Sequence, residues 1–198
     1  MRRVFVITLL ALGLGAPTHA QSGLEITLTQ GSAREAKTRD QLQRLLKTYD
    51  VSKWTFTKTI SVDEKAIPHS HPVLTLSARH LQDDDLLLST FVHEQLHWFL
   101  AAEERTHETQ QAVKDLQGIF PDAPTRPPEG SDGVFSTYQH ILVCYLEYRA
   151  DQELLGELKA RQVMEFWTND HYLWIYKTVL EHEREIRDVI FKYKLNPR

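Results

Sequence analysis

The chain has 198 residues, with 23 Lys and Arg against 27 Asp and Glu, a formal net charge of −4, ten His and a single Cys. That length supports one sizeable core and is short for two. Acidic balance without a basic stripe argues against nucleic acid as a partner. A lone Cys144 excludes an intramolecular disulfide, so stability is expected from the core and from any bound metal.

In chain order, MRRVFVITLLALGLGAPTHA (1–20) sets two arginines before an apolar run and ends on Thr18-His19-Ala20, the layout of a secretory signal peptide cleaved after Ala20. Gly13, Gly15 and Pro17 interrupt the run, which falls short of the roughly 20 apolar residues a spanning helix needs. The expected product is one domain, 21–198, periplasmic or secreted, with no stable membrane insertion. Without Arg2 and Arg3 it carries 21 basic and 27 acidic residues, a net charge of −6.

Ser32-Ala33-Arg34-Glu35 has capping-box spacing, and Leu42, Leu45 and Leu46 follow at i, i+3 and i+4, which predicts a helix over about 33–48. WTFTKTISV (54–62) and VLTLSAR (73–79) alternate apolar and polar residues and predict half-buried strands, with ITLTQ (26–30) as a third. Asp83, Asp84 and Asp85 head a long apolar stretch expected to be helical to about 104. The Pro- and Gly-rich segment 118–133 predicts a loop, a candidate flap over a site. Ser136-Thr137-Tyr138-Gln139 repeats the capping-box spacing and opens a helix of some 20 residues, and a last helix is expected over much of 163–192. Strands followed by helices argue α+β, with a small N-terminal antiparallel sheet and a C-terminal helical portion.

The chemistry concentrates in FVHEQLHWFL (91–100). On a helix, positions four apart project from one face, so His93 and His97 can bind one ion, and Zn2+ accepts imidazole nitrogens at about 2.0–2.1 Å. Glu94 is offset enough to avoid coordination and close enough to act as general base on a zinc-activated water. Composition alone produces one HExxH in such a chain with a chance of roughly 4 %, so a buried helix carrying two satisfied histidines stays in competition. Phe91, Val92, Leu96, Phe99 and Leu100 would then pack the core while His93, Glu94 and His97 face a cleft.

A catalytic zinc site needs a third protein ligand and an open position. In LEYRADQELLG, Glu147 and Asp151 stand four apart, so Glu147 can complete the zinc while Asp151 orients a histidine ligand. His140 is the alternative third ligand, seven residues before Glu147 and nearly on its face, with Cys144 between them as a buried small hydrophobe. Glu147 is preferred because Asp151 has a role only in that register.

HEQLH followed by EYRAD resembles the gluzincin metallopeptidases, HExxH enzymes with a downstream ExxxD helix, and within them the branch of CAAX-processing and related integral-membrane zinc peptidases. The resemblance covers the two motif helices, about a third of the chain, and implies a zincin-like core with His93, His97 and Glu147 as zinc ligands, Glu94 as base and Asp151 behind them. The chain departs from that branch in lacking transmembrane helices, and from the thermolysin branch in lacking its N-E-x-x-S-D form. The resemblance also casts VLTLSAR as an edge strand pairing with an extended peptide, a general recognition mode. Gluzincins often supply an oxyanion donor beyond the third ligand, which points to His171 and Tyr172.

The expected activity is peptide-bond hydrolysis on a peptide or protein substrate, endopeptidase or aminopeptidase, with Zn2+ as cofactor. The alternative is a non-hydrolytic periplasmic zinc-binding or chaperone-like protein on the same scaffold. His69 and His71 in HSHP are candidates for a second metal but are more common as solvated loop residues, and His107 and His182 receive no role.

Overall fold

A computed structural model describes residues 23–198. The expected signal peptide and its cleavage point lie outside the described residues.

Ser32 caps helix α1 (Ala33–Thr48) as its spacing predicts: its hydroxyl accepts the Glu35 N–H while Glu35 reaches back to the cap. The Glu35 carboxylate also accepts backbone N–H groups from Gln30 (2.9 Å), Gly31 (2.8 Å) and Glu64 (3.2 Å), joining the turn before α1 to the segment after the second strand. One residue thereby satisfies orphan donors of the helix start and two loops. Leu42, Leu45 and Leu46 face the core.

The strands are β1 (Glu25–Leu28), β2 (Thr59–Val62) and β3 (Leu74–Leu76), in the order β1-β2-β3. Both pairings are parallel, with Ile26 opposite Ile60 and Ile60 opposite Leu74, which corrects the expected antiparallel sheet. Alternation reports which residues share a face and is silent on strand direction. Direction is set by the connections: α1 returns the chain from β1 to the start of β2, and residues 63–73 return it from β2 to the start of β3. Part of that second return pairs antiparallel with β3, where His69 N–H donates to the Thr75 carbonyl at 3.1 Å and Thr75 N–H to the His69 carbonyl at 2.8 Å. The free edge of VLTLSAR is therefore occupied at Thr75, and the strand itself is shorter than the apolar pattern.

Helix α2 (Asp84–Ala101) begins at Asp83, whose carboxylate accepts the Leu86 N–H at 3.1 Å. Arg44 pairs with Asp84 and Lys159 with Asp85, tying the head of α2 to α1 and to the C-terminal helices. Phe91, Val92, Leu96, Phe99 and Leu100 are buried as predicted, each worth about 1.5–3 kcal/mol of removal from water. Helix α3 (Thr106–Ile119) leads to the 120–133 loop.

Helix α4 (Val134–Leu155) starts two residues before Ser136, with Gly133 at φ 95° as its cap, so the second expected capping box is not used. The Ser136 hydroxyl bonds Ser131 instead at 2.7 Å, and the Thr137 hydroxyl takes the Ser131 N–H. The single last helix expected over 163–192 is three: α5 (Glu157–Trp167), α6 (Leu173–Glu181) and α7 (Glu183–Lys192). Breaks fall at Thr168–Tyr172, where Tyr172 is left-handed at φ 50°, and at His182. The architecture is α+β, with α4 touching α2, α3, α5, α6 and α7 and forming the axis of the core. Among the described residues no helix is long and apolar enough to cross a membrane.

Candidate metal centre

The helical spacing of HEQLH puts His93 and His97 on one side of α2, and α4 brings His140 against them. Ring centroids are 5.1 Å apart for His93 and His97, 5.7 Å for His93 and His140, and 4.8 Å for His97 and His140. A donor nitrogen from each of the three lies within 4.8 Å of the other two. A second set, His93, Cys144 and Glu147, meets the same limit, so His93 belongs to both.

Hydrogen bonds decide which imidazole faces are available. His140 Nδ1 lies 2.7 Å from the Ser136 carbonyl, an acceptor only, so Nδ1 carries the proton and Nε2 keeps its lone pair. His93 Nδ1 is 2.8 Å from Glu147 Oε2, which likewise leaves Nε2 of His93 pointing the other way. Nε2 of His93 and Nε2 of His97 are 3.3 Å apart. Tetrahedral ligands at about 2.0–2.1 Å from one zinc are themselves roughly 3.3–3.4 Å apart, so the spacing fits a shared cation.

Glu147 therefore holds a histidine from behind, the place the spacing had reserved for Asp151. Its carboxylate is fully enclosed and accepts from His93, from the Tyr176 hydroxyl at 3.0 Å and from the Ser89 hydroxyl at 2.6 Å. Ser89 Oγ also lies 2.9 Å from Asp151 Oδ2 and 3.3 Å from the donating Trp167 Nε1. A hydroxyl has one proton to give, and Ser89 gives it to Glu147, so the Asp151–Ser89 contact needs a proton on Asp151. Burial, reinforced by the neighbouring Glu147 charge, pushes the Asp151 carboxyl well above its ordinary range, in agreement. The order is Asp151, Ser89, Glu147, His93: a carboxylate–histidine pair with two further residues behind it.

Burial works to depress His93, and the Glu147 carboxylate outweighs it, leaving the imidazole well above its usual value. His97 and His140 are pushed down by burial and then by the charge on His93, His140 to about 3. Glu94 shares the enclosed site, and burial, against the pull of His93, raises its carboxyl to about 7. Among the described residues no hydrogen-bond donor reaches the Glu94 carboxylate. Cys144 is buried and its thiol is pushed up by burial.

These groups open into a cleft of roughly 590 Å³ lined by His93, Glu94, His97, His140 and Glu147 and also by His171 and Tyr172. The Tyr172 ring packs 4.4 Å from His140, and His171 Nδ1 is held by Asp170 Oδ2 at 2.7 Å. The 120–133 loop supplies Pro127 to the lining and is fastened to α6 by Leu173 N–H to the Pro128 carbonyl (3.0 Å) and Trp174 N–H to the Glu129 carbonyl (3.1 Å). Gly130 allows that path, because a Cβ there would lie 1.9 Å from the Pro124 carbonyl oxygen. His69 lines the cleft and His71 stacks on Trp98 at 4.2 Å, and neither is in a metal-capable group among the described residues.

Ser89, Tyr176 and Gln95 carry positions that the motif alone does not name. Ser89 is one turn before His93 on α2 and Tyr176 one turn after Tyr172, so the four-residue stripe through each expected residue was the available signal. Gln95, fully buried inside the motif, accepts the N–H groups of Phe56 (2.7 Å) and Thr57 (2.8 Å) and donates to the Thr57 carbonyl (2.9 Å), fixing the segment before β2 to α2.

No protein family, no curated protein and no solved structure matches the chain. The chemistry of the centre rests on its own geometry.

Proposed function

We propose that the chain is an exported zinc-dependent peptidase with a zincin-like active site, in which His93, His97 and His140 hold the metal and Glu94 is the general base. The observation that carries this reading is the convergence of three imidazoles, His93 and His140 each held at Nδ1 by an acceptor so that Nε2 is the nitrogen left for a metal, beside a Glu94 carboxylate that meets no donor among the described residues. A metal-free core helix has no use for that arrangement, since buried polar groups are ordinarily paired. A site that only stores zinc has no use for Glu94.

Zinc bound there supplies Lewis-acid polarisation of the scissile carbonyl and acidifies water. Glu94 accepts the proton as water attacks and passes it to the departing amine, the double duty of a general acid–base. The Tyr172 hydroxyl is the candidate donor toward the oxyanion, whereas His171, whose Nδ1 proton goes to Asp170, offers Nε2 as a donor only when the ring is protonated. Glu147 keeps His93 in the tautomer that presents Nε2.

The test is zinc per chain and peptide hydrolysis in wild type, Glu94→Gln and His140→Ala. Expected are one zinc and turnover in the first, one zinc without turnover in the second, and loss of zinc in the third. A wild type that takes up zinc without hydrolysing any peptide would support the non-hydrolytic binding protein instead; a folded wild type that binds no zinc would sink both. Zinc retained in His140→Ala but lost in Glu147→Ala would return the third ligand to Glu147.

A further inference from the structure

The cleft lining includes Arg79, set in the 78–80 turn that precedes α2. Arg79 is built into that turn, its N–H donating to the Ser77 hydroxyl at 3.3 Å. Its guanidinium is held by Asp170, whose other oxygen takes Nδ1 of His171. One side-chain nitrogen of Arg79 is thereby engaged, and Nε and Nη1 have no partner among the described residues. With five donors in a planar fork, such a side chain is suited to binding a carboxylate through two bonds.

Other charged side chains of the neighbouring segments are already committed. Asp83 caps α2, Asp84 pairs with Arg44 and Asp85 with Lys159. Arg34 donates to the Ala78 carbonyl and pairs with Glu64, outside the cleft lining. Of the two carboxylates that line the cleft, Glu147 has three donors and Glu94 stands at the reacting centre. Arg79, half-exposed and fixed in direction by its pair with Asp170, keeps Nε and Nη1 open beside His171, which the same Asp170 holds.

We propose that Arg79 is an anion anchor, so that the preferred substrates are peptides carrying a carboxylate near the cleaved bond, either a free C-terminus or an acidic side chain. This rests on the peptidase reading and adds the substrate class to it. Asp170 prepares the guanidinium and the imidazole together, so a substrate bound at Arg79 lies against the same framework that positions His171. Charge-assisted hydrogen bonds of this kind correspond to roughly ten-fold to a hundred-fold in discrimination.

The zinc-loaded chain is to be given three degenerate peptide pools: free C-terminal carboxylates without Asp or Glu, C-terminal amides retaining Asp and Glu, and C-terminal amides lacking both. The expected result is a kcat/KM at least about ten-fold higher on one charged pool than on the uncharged one. Preference in the first pool identifies the C-terminus as the anion, and in the second an acidic side chain. Arg79→Gln should bring the charged-to-uncharged ratio close to one, chiefly through KM, and Arg79→Lys should restore part of it. Equal cleavage of all pools by wild type, or a preference that survives in folded Arg79→Gln, overturns the anchor and leaves the peptidase reading standing. Cleavage of no pool by the zinc-loaded chain overturns both.

Discussion

Glu35 and Glu94 are both buried glutamates near the start or middle of a helix, and their surroundings are opposite. Burial would raise the Glu35 carboxyl, but backbone N–H groups of Glu64, Gln30, Ser32 and Gly31 outweigh it and hold the pKa below its ordinary value. Glu94 meets no donor among the described residues, and burial lifts it to about 7. A carboxylate surrounded by backbone amides is a structural tie whose charge is compensated wherever it is ionised. One left bare in a cleft is kept at a cost to stability, and that cost is characteristic of a reacting group.

Substitutions at each glutamate would break the comparison if it were wrong. The largest expected effect is Glu94→Gln, with a fall in turnover of about 10²–10⁴-fold and an unchanged or higher Tm, read by peptide hydrolysis and calorimetry. A clear loss of Tm would make Glu94 a structural residue like Glu35. Next is Glu147→Gln, expected to weaken zinc binding by about 10–100-fold while leaving the three imidazoles in place, measured by competition with a chelator. Glu35→Gln should lower Tm by several degrees and leave zinc content and turnover per folded molecule unchanged.

Glu35 also sharpens the comparison through pH. Its folded pKa is depressed, so its contribution to stability is fully present above its ordinary value of 4.5 and is lost as pH falls through the lower folded value. Acid unfolding of wild type should therefore steepen below about pH 4.5, and Glu35→Gln should flatten that limb in a denaturant series across pH. The smallest effect is expected at Arg44→Ala, where the pair with Asp84 is exposed on both sides, and Tm should move by no more than a degree or two.

The sequence carried the parts of this site that depend on local periodicity. Four-residue spacing gave the common face of His93 and His97 and the buried set around Phe91 and Leu96, because a helix repeats its face every turn whatever it packs against. It ranked Glu147 above His140 as the third ligand on spacing alone, which carries no information about how the two helices meet. Both lie on one stripe of α4, and which of them meets His93 and His97 face to face depends on how two helices slide and cross, which neither helix encodes alone. Strand direction was lost for the same kind of reason. Tyr172 adds a third case: its left-handed backbone divides what apolar spacing presented as one continuous helix, at a point where its ring packs on His140 and the next two amides bond the 120–133 loop.

The fastening of the 120–133 loop to α6 has a consequence for how the cleft is entered. The amides of Leu173 and Trp174 are donors to Pro128 and Glu129, so their deuterium uptake is a clock on that attachment. On the proposed peptidase reading, if substrates enter the cleft only when this loop lifts, the two amides exchange at the frequency of admission. If they exchange no faster than amides of the α4 interior, the strap is a fixed wall and the doorway lies elsewhere along the cleft.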